Sequence, residues 1–345
     1  MTSETIPVNV LARWSRLADA AAKRIDSGLI NDTFIVETND GERAVVQRLH
    51  AVFPAEINLD IAAVTERLAA QGLTTPRLIP TDDDALWVVD DEQIWRALSY
   101  VQGATHQKVA SAAMLKNAGR LVGLFHSALE DFEHEFHSNR NVHDTAEHLN
   151  RLQAALGQHK THSLYASVSR LAKSLFDSAD ELIEPSAVPP RNAHGDLKIS
   201  NVLFDAEEHA ICLIDLDTVS RMQWPLEMGD ALRSWCNPRT EDEESAVFDL
   251  SLFEAALSGY ATNSPSYLSR EERELLVPGI QQISLELSAR FLTDTLEETY
   301  FGWDASRYPS QGAHNLVRAK AMHELMTRVR EQRSEAERIV RHCLG

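Results

Sequence analysis

Three residues at fixed spacings carry the most chemistry in this chain. Asp196 follows His194 by two positions in His194-Gly195-Asp196-Leu197-Lys198-Ile199-Ser200-Asn201. Asn201 follows Asp196 by five. Asp215 ends the next apolar run, Ile211-Cys212-Leu213-Ile214-Asp215-Leu216-Asp217-Thr218. Transfer of a phosphoryl group from a nucleotide needs a carboxylate to orient and deprotonate the attacking hydroxyl. It also needs oxygen ligands for the cation that bridges the phosphates. Asp196 suits the first task. Asn201 and Asp215 suit the second, because the apolar runs Val202–Phe204 and Ile211–Ile214 predict a hairpin that returns one to the other. Hard oxygen ligands imply Mg²⁺ and require no thiolate. Lys198 either reaches the γ-phosphate or lies along the loop. Taken singly, each of these residues reads as a solvated loop position; the joint pattern reads as a kinase-type phosphotransferase using ATP. Asp217 and Thr218 read either as part of the site or as a turn or capping pair.

The elements that must position them fall into two groups. The first quarter alternates. Residues 24–36 and 43–49 predict two strands joined at Thr38-Asn39-Asp40-Gly41, where Asp-Gly between apolar runs signals a hairpin. Residues 56–71 have helical spacing at Ile57, Ile61, Val64 and Leu68, and Gly72 marks the stop. Residues 85–90 and 94–101 predict a second hairpin around Asp91-Glu92-Gln93, and Gln102-Gly103 a hinge. Beyond it, helical patterns cover 107–132 and 144–178. Strands at 202–205 and 210–215 interrupt them, and helices follow at 225–235, 244–260, 270–300 and 314–340. The expected fold class is α+β, with a small sheet-rich N-lobe (1–101) and a larger helical C-lobe (102–345). A ligand cleft is expected between the lobes.

Composition narrows the partners. The chain has 345 residues, long enough for two lobes around a large core. Its 52 acidic and 33 basic residues give a net charge of −19, which would repel a phosphate backbone and argues against nucleic acid. A Mg²⁺-neutralised nucleotide remains compatible. The acidity reads first as solubility and second as a hint of a cationic co-substrate. No apolar run approaches the roughly 18 residues that would span a membrane. The N-terminus shows no secretory signal. Cys212, Cys236 and Cys343 are odd in number and far apart, which suits a reducing, cytoplasmic compartment.

The segments HGDLKISNVLF and LIDLDT resemble the aminoglycoside phosphotransferase and choline kinase superfamily, which is related to the protein kinases, and within it most closely the N-acetylhexosamine 1-kinases. The resemblance extends over most of the chain. It includes Gly28-Leu29-Ile30-Asn31-Asp32-Thr33-Phe34, Gln47-Arg48-Leu49, Phe125-His126, Val142-His143-Asp144-Thr145 and Gly229-Asp230-Ala231-Leu232-Arg233. Glu286 with Arg290 through Asp294, Tyr300-Phe301 and Asn315-Leu316 also match. It implies a protein-kinase-like bilobal fold and a kinase acting on a sugar, with the anomeric hydroxyl of a hexose or N-acetylhexosamine as acceptor. Asp196 would be the base and Asn201 and Asp215 the Mg²⁺ ligands. Asn31 and Thr33 would approach the β- and γ-phosphates, with Gln47 on the next strand. Arg290 and Asp294 would face the sugar from a C-lobe helix; the alternative for that pair, four apart, is an ion pair within the helix.

Three departures bear on specificity. Many kinases carry a Lys on the third strand, where Gln47 stands here with Arg48 pointing to the opposite face. Leu29 stands where the N-acetylhexosamine enzymes are expected to have His. Ser220–Glu227 (SRMQWPLE) replaces a more Gly-rich segment and is expected to border the acceptor site. Weaker signals have plain readings. His134 and His137, with His143 and His148 nearby, suggest a zinc site or, with acidic neighbours and no Cys, a surface cluster. Glu241-Asp242-Glu243-Glu244 reads as a helix start. Trp87, Trp95 and Tyr100 read as core, with Trp95 or Tyr100 also able to meet an adenine. Two other functions compete with the sugar kinase. One is a kinase for an amino sugar, aminoglycoside or amino alcohol. The other is a non-catalytic nucleotide-binding protein, against which the joint presence of Asp196, Asn201 and Asp215 stands.

Overall fold

The computed structural model describes residues 5–25, 31–137, 143–179, 182–184, 187–239 and 242–345. The sheet-rich part comes first, as expected. Its strands are β1 (Ala21–Ile25), β2 (Asp32–Glu37), β3 (Arg43–Arg48), β4 (Leu78–Ile79), β5 (Val88–Asp90) and β6 (Gln93–Ser99). They form one antiparallel sheet in the order β1-β2-β3-β6-β4, with β5 paired to β6. The single strand expected at 24–36 is in fact two, with Ile25 opposite Thr33 as the last pair of β1 and β2. The first of the two, Ala21-Ala22-Lys23-Arg24-Ile25, is largely exposed and carries no apolar alternation to mark it as a separate strand. Gly28, Leu29 and Ile30, between the two strands, lie outside the described residues. Both expected hairpins form. Gly41 closes the first at φ +87°, and Asp91 and Glu92 make the second with φ +43° and +63°. Positive φ at both loop residues matches the twist of the flanking strands.

Strand periodicity sorts the side chains onto two faces. Phe34, Val36, Ala44, Val46, Trp95 and Ala97 are buried on one face with Trp14 and Leu17, which follow the short helix α1 (Val8–Leu11). Trp14 Nε1 donates to Ile79 O at 2.8 Å and fixes this N-terminal cover. Thr33, Ile35, Val45, Gln47, Arg96 and Leu98 face the other way and line a cleft. Arg48 shares the Trp95 side, where it pairs with Asp32. Helix α2 (Ile57–Ala70) buries Ile57, Ile61, Val64 and Leu68 in the main core and ends before Gly72 at φ +79°.

The remainder is mainly helical. It comprises α3 (Ala112–Ala128), α4 (Thr145–Gln158), α5 (Tyr165–Asp177), β7 (Pro190–Ala193), β8 (Val202–Phe204), β9 (Ala210–Leu213), β10 (Ser220–Gln223), α6 (Trp224–Trp235), α7 (Leu250–Ala261), α8 (Arg270–Glu274), α9 (Leu276–Glu297), α10 (Gln311–Glu331) and α11 (Arg333–Leu344). The helix expected at 144–178 breaks at 159–164, where a polar His-Lys-Thr-His-Ser stretch intervenes. The helix expected at 107–132 starts only at Ala112, because Ser111 caps it by accepting from Met114 N. The helix expected from 244 starts at Leu250, after the Asp249 cap. Glu241 of the acidic run lies outside the described residues. The short ladder β7–β10 had no clear sequence signal. It turns Ser220–Gln223 into a strand that feeds α6. Helix α9 runs through the centre and is almost wholly buried. It crosses α6 so closely that a Cβ on Gly279 would meet Pro225 O at 2.1 Å. That crossing fixes α6 beneath the catalytic loop.

Candidate active site

The catalytic loop is built from backbone anchors. Gly195 sits at φ +84°, and a Cβ there would meet Thr218 O at 2.4 Å. Only glycine allows the loops bearing Asp196 and Asp215 to lie this close. Thr218 Oγ1 donates to His194 O at 2.8 Å, so Thr218 ties the two loops together and caps no helix. The buried His194 ring bonds Ile214 O at 3.0 Å, and burial holds its pKa below the usual value. Asn201 Nδ2 donates to Asp196 O at 2.8 Å and to Asp196 Oδ2 at 3.0 Å. Lys198 Nζ donates to the same Oδ2 at 2.6 Å. Burial raises the Asp196 carboxyl, but the Lys198 ammonium, with His194 and Arg233, outweighs it and leaves the pKa below the ordinary carboxylate value. Asp196 is therefore an anion at neutral pH, ready to accept a hydrogen bond from a hydroxyl.

Beneath the loop, Glu227 on α6 accepts from His194 N at 2.7 Å and from Gly195 N at 3.0 Å, one with each carboxylate oxygen. It is 1% exposed, with His126 Nε2 3.6 Å away. Burial pushes Glu227 up, yet His126, His194 and the backbone donors bring it below its usual value. An acidic residue inside the apolar start of α6 was the overlooked sequence signal. Glu227→Gln would turn an amide NH₂ toward a backbone N–H. We expect a loss of about 1–3 kcal/mol in stability, the cost of a buried unsatisfied group, together with reduced kcat. Denaturant titration and steady-state kinetics check both.

The metal side starts where β9 ends. Ile214 N bonds Asn201 O at 3.0 Å, which brings the two expected ligands together as the hairpin predicted. Asp215 has φ +65°, an uncommon conformation for a non-glycine residue that aims its carboxylate into the cleft. The amide nitrogen of Asn201 is engaged, which leaves its carbonyl oxygen for a cation. The donor set fits a hard divalent ion: Asn201 and Asp215 would hold it, and Asp217 lies two residues on. Such an ion would neutralise the β- and γ-phosphates. Crowding by protein, then the Asp217 and Asp196 charges, push the Asp215 carboxyl up to about 7, although the residue is exposed in the cleft. A cation must displace that proton. Mg²⁺ affinity is expected to fall as pH drops below about 7, by up to tenfold per pH unit for one displaced proton. Calorimetry between pH 6 and 8.5 in buffers of different ionisation heat reads both the slope and the released proton.

The N-terminal sheet closes the cleft from above. Asn31 Nδ2 donates to Asp217 Oδ2 at 2.5 Å, and His50 N donates to Asn31 Oδ1 at 2.9 Å. Gln47 Nε2 donates to Thr33 Oγ1 at 3.1 Å. Across the ladder from Gln47 stands Arg96, which is 1% exposed. The cleft has a volume of about 710 Å³ and is lined by Asn31, Thr33, Gln47, Asp196, Lys198, Asn201 and Asp215. Seven of the nine expected site residues thus meet in one place. Tyr100 also lines it, whereas Trp95 is packed in the core with Phe34.

Arg290 and Asp294 are the exceptions. Neither lines the cleft. Asp294 is 3% exposed and accepts from the backbone N–H of Thr299, Tyr300 and Phe301 and from the side chains of Gln311 and Asn315. Its carboxylate is used up in holding the α9–α10 connection. Arg290 approaches Glu286 at 3.9 Å, not Asp294, and lies over the Phe301 ring. Glu286 is fully buried and binds His143 at 2.9 Å and Thr145 at 2.8 Å, joining α9 to the start of α4. Val142, beside His143, lies outside the described residues. The other histidine pair lies at the surface, with His137 exposed, but is anchored from below. His134 Nε2 and His137 Nδ1 lie 2.8 and 2.9 Å from Oδ1 of the fully buried Asp60, which ties α2 to the segment after α3. Ser220–Gln223 also lies away from the cleft lining, in the β7–β10 ladder.

Comparison with known proteins identifies the fold and the family. Residues 21–262, more than half of the chain, match the phosphotransferase enzyme family (APH). An aminoglycoside phosphotransferase from Alicyclobacillus acidocaldarius superposes with a TM-score of 0.65 at 16% identity, covering 98% of each chain. A microcompartment-associated aminopropanol kinase gives 0.65 at 16% identity, covering 96% of this chain and 97% of its own. An amicoumacin kinase in complex with AMP-PNP, Ca²⁺ and Ami gives 0.62 at 12% identity, covering 90% and 88%. At such identities these likenesses establish a shared fold. With the family match over the sheet, the catalytic loop and the metal hairpin, the chain belongs to the phosphotransferase enzyme family.

Proposed function

We propose that this small-molecule kinase moves the γ-phosphoryl of ATP, held with Mg²⁺, onto a sugar, at the anomeric hydroxyl of a hexose or N-acetylhexosamine. Residues 1–101 cover the nucleotide, and residues 102–345 carry the base, the metal ligands and the acceptor site. The lining of the acceptor end of the cleft supports the sugar. Beyond Asp196 it is formed by Arg233, Ser234, Asn237, Arg239, Asp242 and Arg318. Among the described residues, the C-terminal part contributes no aromatic ring to the cleft. A quaternary ammonium group is recognised by aromatic faces. A ring of hydroxyls is recognised by fixed donors and acceptors, which this floor supplies. Arg290 and Asp294 drop out of the acceptor site, and Arg233 and Asn237 take their place.

The anomeric hydroxyl is more acidic than the other hydroxyls of a sugar ring. An anionic Asp196 of low basicity can accept its proton late in a loose transition state. A second reading is an aminoglycoside or amino alcohol acceptor. Asp242 on the same floor favours it, as do the names of two similar folds. Free sugars, aminoglycosides and amino alcohols should be tested with ATP and Mg²⁺, with ADP release and phosphorus NMR as readouts. We expect an acid-labile sugar 1-phosphate coupled to the anomeric proton, and no turnover of a 1-deoxy analogue. Phosphate at carbon 6, or only on an amine-bearing acceptor, would end the sugar 1-kinase reading.

A further inference from the structure

Phosphoryl transfer needs a cation against the nucleotide phosphates in addition to the metal. The third strand, where many kinases carry that lysine, has Gln47 here. The neighbouring strand carries Arg96 at the position directly opposite, and the two-residue period puts both on the cleft face. Both Nε and Nη2 of Arg96 donate to Gln47 Oε1, at 2.9 and 2.7 Å. Nη1 lies 3.4 Å from Asn58 Oδ1 on α2, and Nη2 lies 2.6 Å from Asp217 Oδ1. Arg96 is thus held on three sides, by β3, by α2 and by the metal-binding loop.

The contact with Asp217 differs from the other two. Arg96 and Asp217 side chains are each 2% exposed, and their charges nearly touch, yet Asp217 Oδ1 accepts no hydrogen bond. The pair is close but misaligned. A guanidinium buried without a counter-charge is strongly disfavoured, so Arg96 needs an anion beside it. Asp217 supplies one in a geometry that a better acceptor can improve on. A phosphate offers the paired oxygens that a guanidinium fork fits.

We propose that Arg96 is the polyphosphate-binding cation of this kinase, standing in from β6 for the missing β3 lysine, with Asp217 as the anion that partners it whenever no phosphate does. Gln47 and Asn58 orient the guanidinium. When a nucleoside di- or triphosphate enters, its phosphate takes over the fork, and Asp217 is freed; with Asp215 it would then serve as a carboxylate ligand for a divalent ion. The ligand class is the polyphosphate chain; the nucleoside is not contacted.

This inference rests on the proposed use of a nucleotide and not on the identity of the acceptor, so its test contains no acceptor. Adenosine and ADP are titrated by calorimetry into the full chain and into Arg96→Met and Arg96→Lys, with thermal unfolding as the fold check. Arg96→Met is expected to weaken Mg·ADP binding about 10- to 100-fold, the worth of hydrogen bonds to a charged group. Adenosine affinity is expected to stay within twofold, and Arg96→Lys to fall between. Equal losses for adenosine and ADP, or unchanged ADP affinity, would overturn the assignment. Should Arg96→Met not fold, Asp217→Asn carries the test. Removing the placeholder should tighten ADP several-fold in the absence of any divalent ion, and no gain would overturn the exchange. Failure of these binding results leaves the sugar panel untouched, and failure of the panel leaves them untouched.

Discussion

Asp196→Asn is expected to lower kcat by about 10²–10⁴-fold, the usual worth of general acid–base catalysis, with little change in nucleotide affinity. The amide keeps the shape and the neighbours. It loses the charge that Lys198 Nζ and Asn201 Nδ2 now share on Oδ2, and it cannot take a proton. Calorimetry with a non-hydrolysable nucleotide separates the two effects. Loss of nucleotide binding would mean a structural role, and unchanged turnover would mean another base.

The pH profile sharpens this expectation. The Asp196 pKa lies below the ordinary carboxylate value, so its reactive anion persists as pH falls well below neutral. An acid limb near pH 7 would therefore belong to Asp215, whose carboxyl is pushed up to about 7. A limb set by a metal ligand is a competition between proton and cation. It should move to lower pH as Mg²⁺ is raised, whereas a limb set by the base would stay in place. A limb near pH 7 that ignores Mg²⁺ would reverse the assignment.

The catalytic loop and metal hairpin were legible because their chemistry is local. Asp196, Lys198, Asn201 and Asp215 lie within 20 residues of one another, and one hairpin joins them. The N-terminal residues Asn31, Thr33 and Gln47 were legible through strand period and resemblance. Arg96 and Glu227 were not. Each is a charged residue inside an apolar run, and a run of that kind announces burial without naming the partner. Arg96 finds Asp217 across 121 positions of sequence, and Glu227 finds His194 and Gly195 across about 30. Asp294 failed for the opposite reason. A carboxylate on a helix four residues from an arginine suggests a shared polar face, but the α9–α10 connection folds back and its three N–H groups claim the carboxylate first. A helix end leaves orphan backbone groups, and the nearest acidic residue answers them before any ligand does. The break between β1 and β2 was hidden because β1, Ala21-Ala22-Lys23-Arg24-Ile25, is largely exposed and carries no apolar alternation of its own.

Asp215→Asn should abolish turnover at ordinary Mg²⁺ without unfolding the protein. The residue sits at φ +65°, and asparagine is among the few side chains that accept this conformation, so the backbone is preserved. What disappears is the negative charge that Asp215 aims into the cleft at the metal site. The loss should exceed the roughly 10–100-fold seen when only an outer partner of a metal is removed. Asn201→Ala should cost less, because a water can take the place of an amide oxygen on Mg²⁺. Stability should move the other way. A carboxyl whose pKa is raised on folding has a disfavoured anion in the folded state. Above about pH 7 that anion is present and faces Asp217 and Asp196. Neutralising it removes like-charge repulsion, so the metal-free variant at pH 8 should melt no lower than the parent, with a smaller gap at pH 5.5 that closes only near the ordinary carboxylate value of about 4. Thermal scans at both values with chelator present, beside kcat at 1 and 20 mM Mg²⁺ (about physiological and well above it), complete the test. Near-normal turnover would show that the metal is held elsewhere. A large fall in melting temperature would show that Asp215 is a structural anion, and its open geometry would then need another explanation.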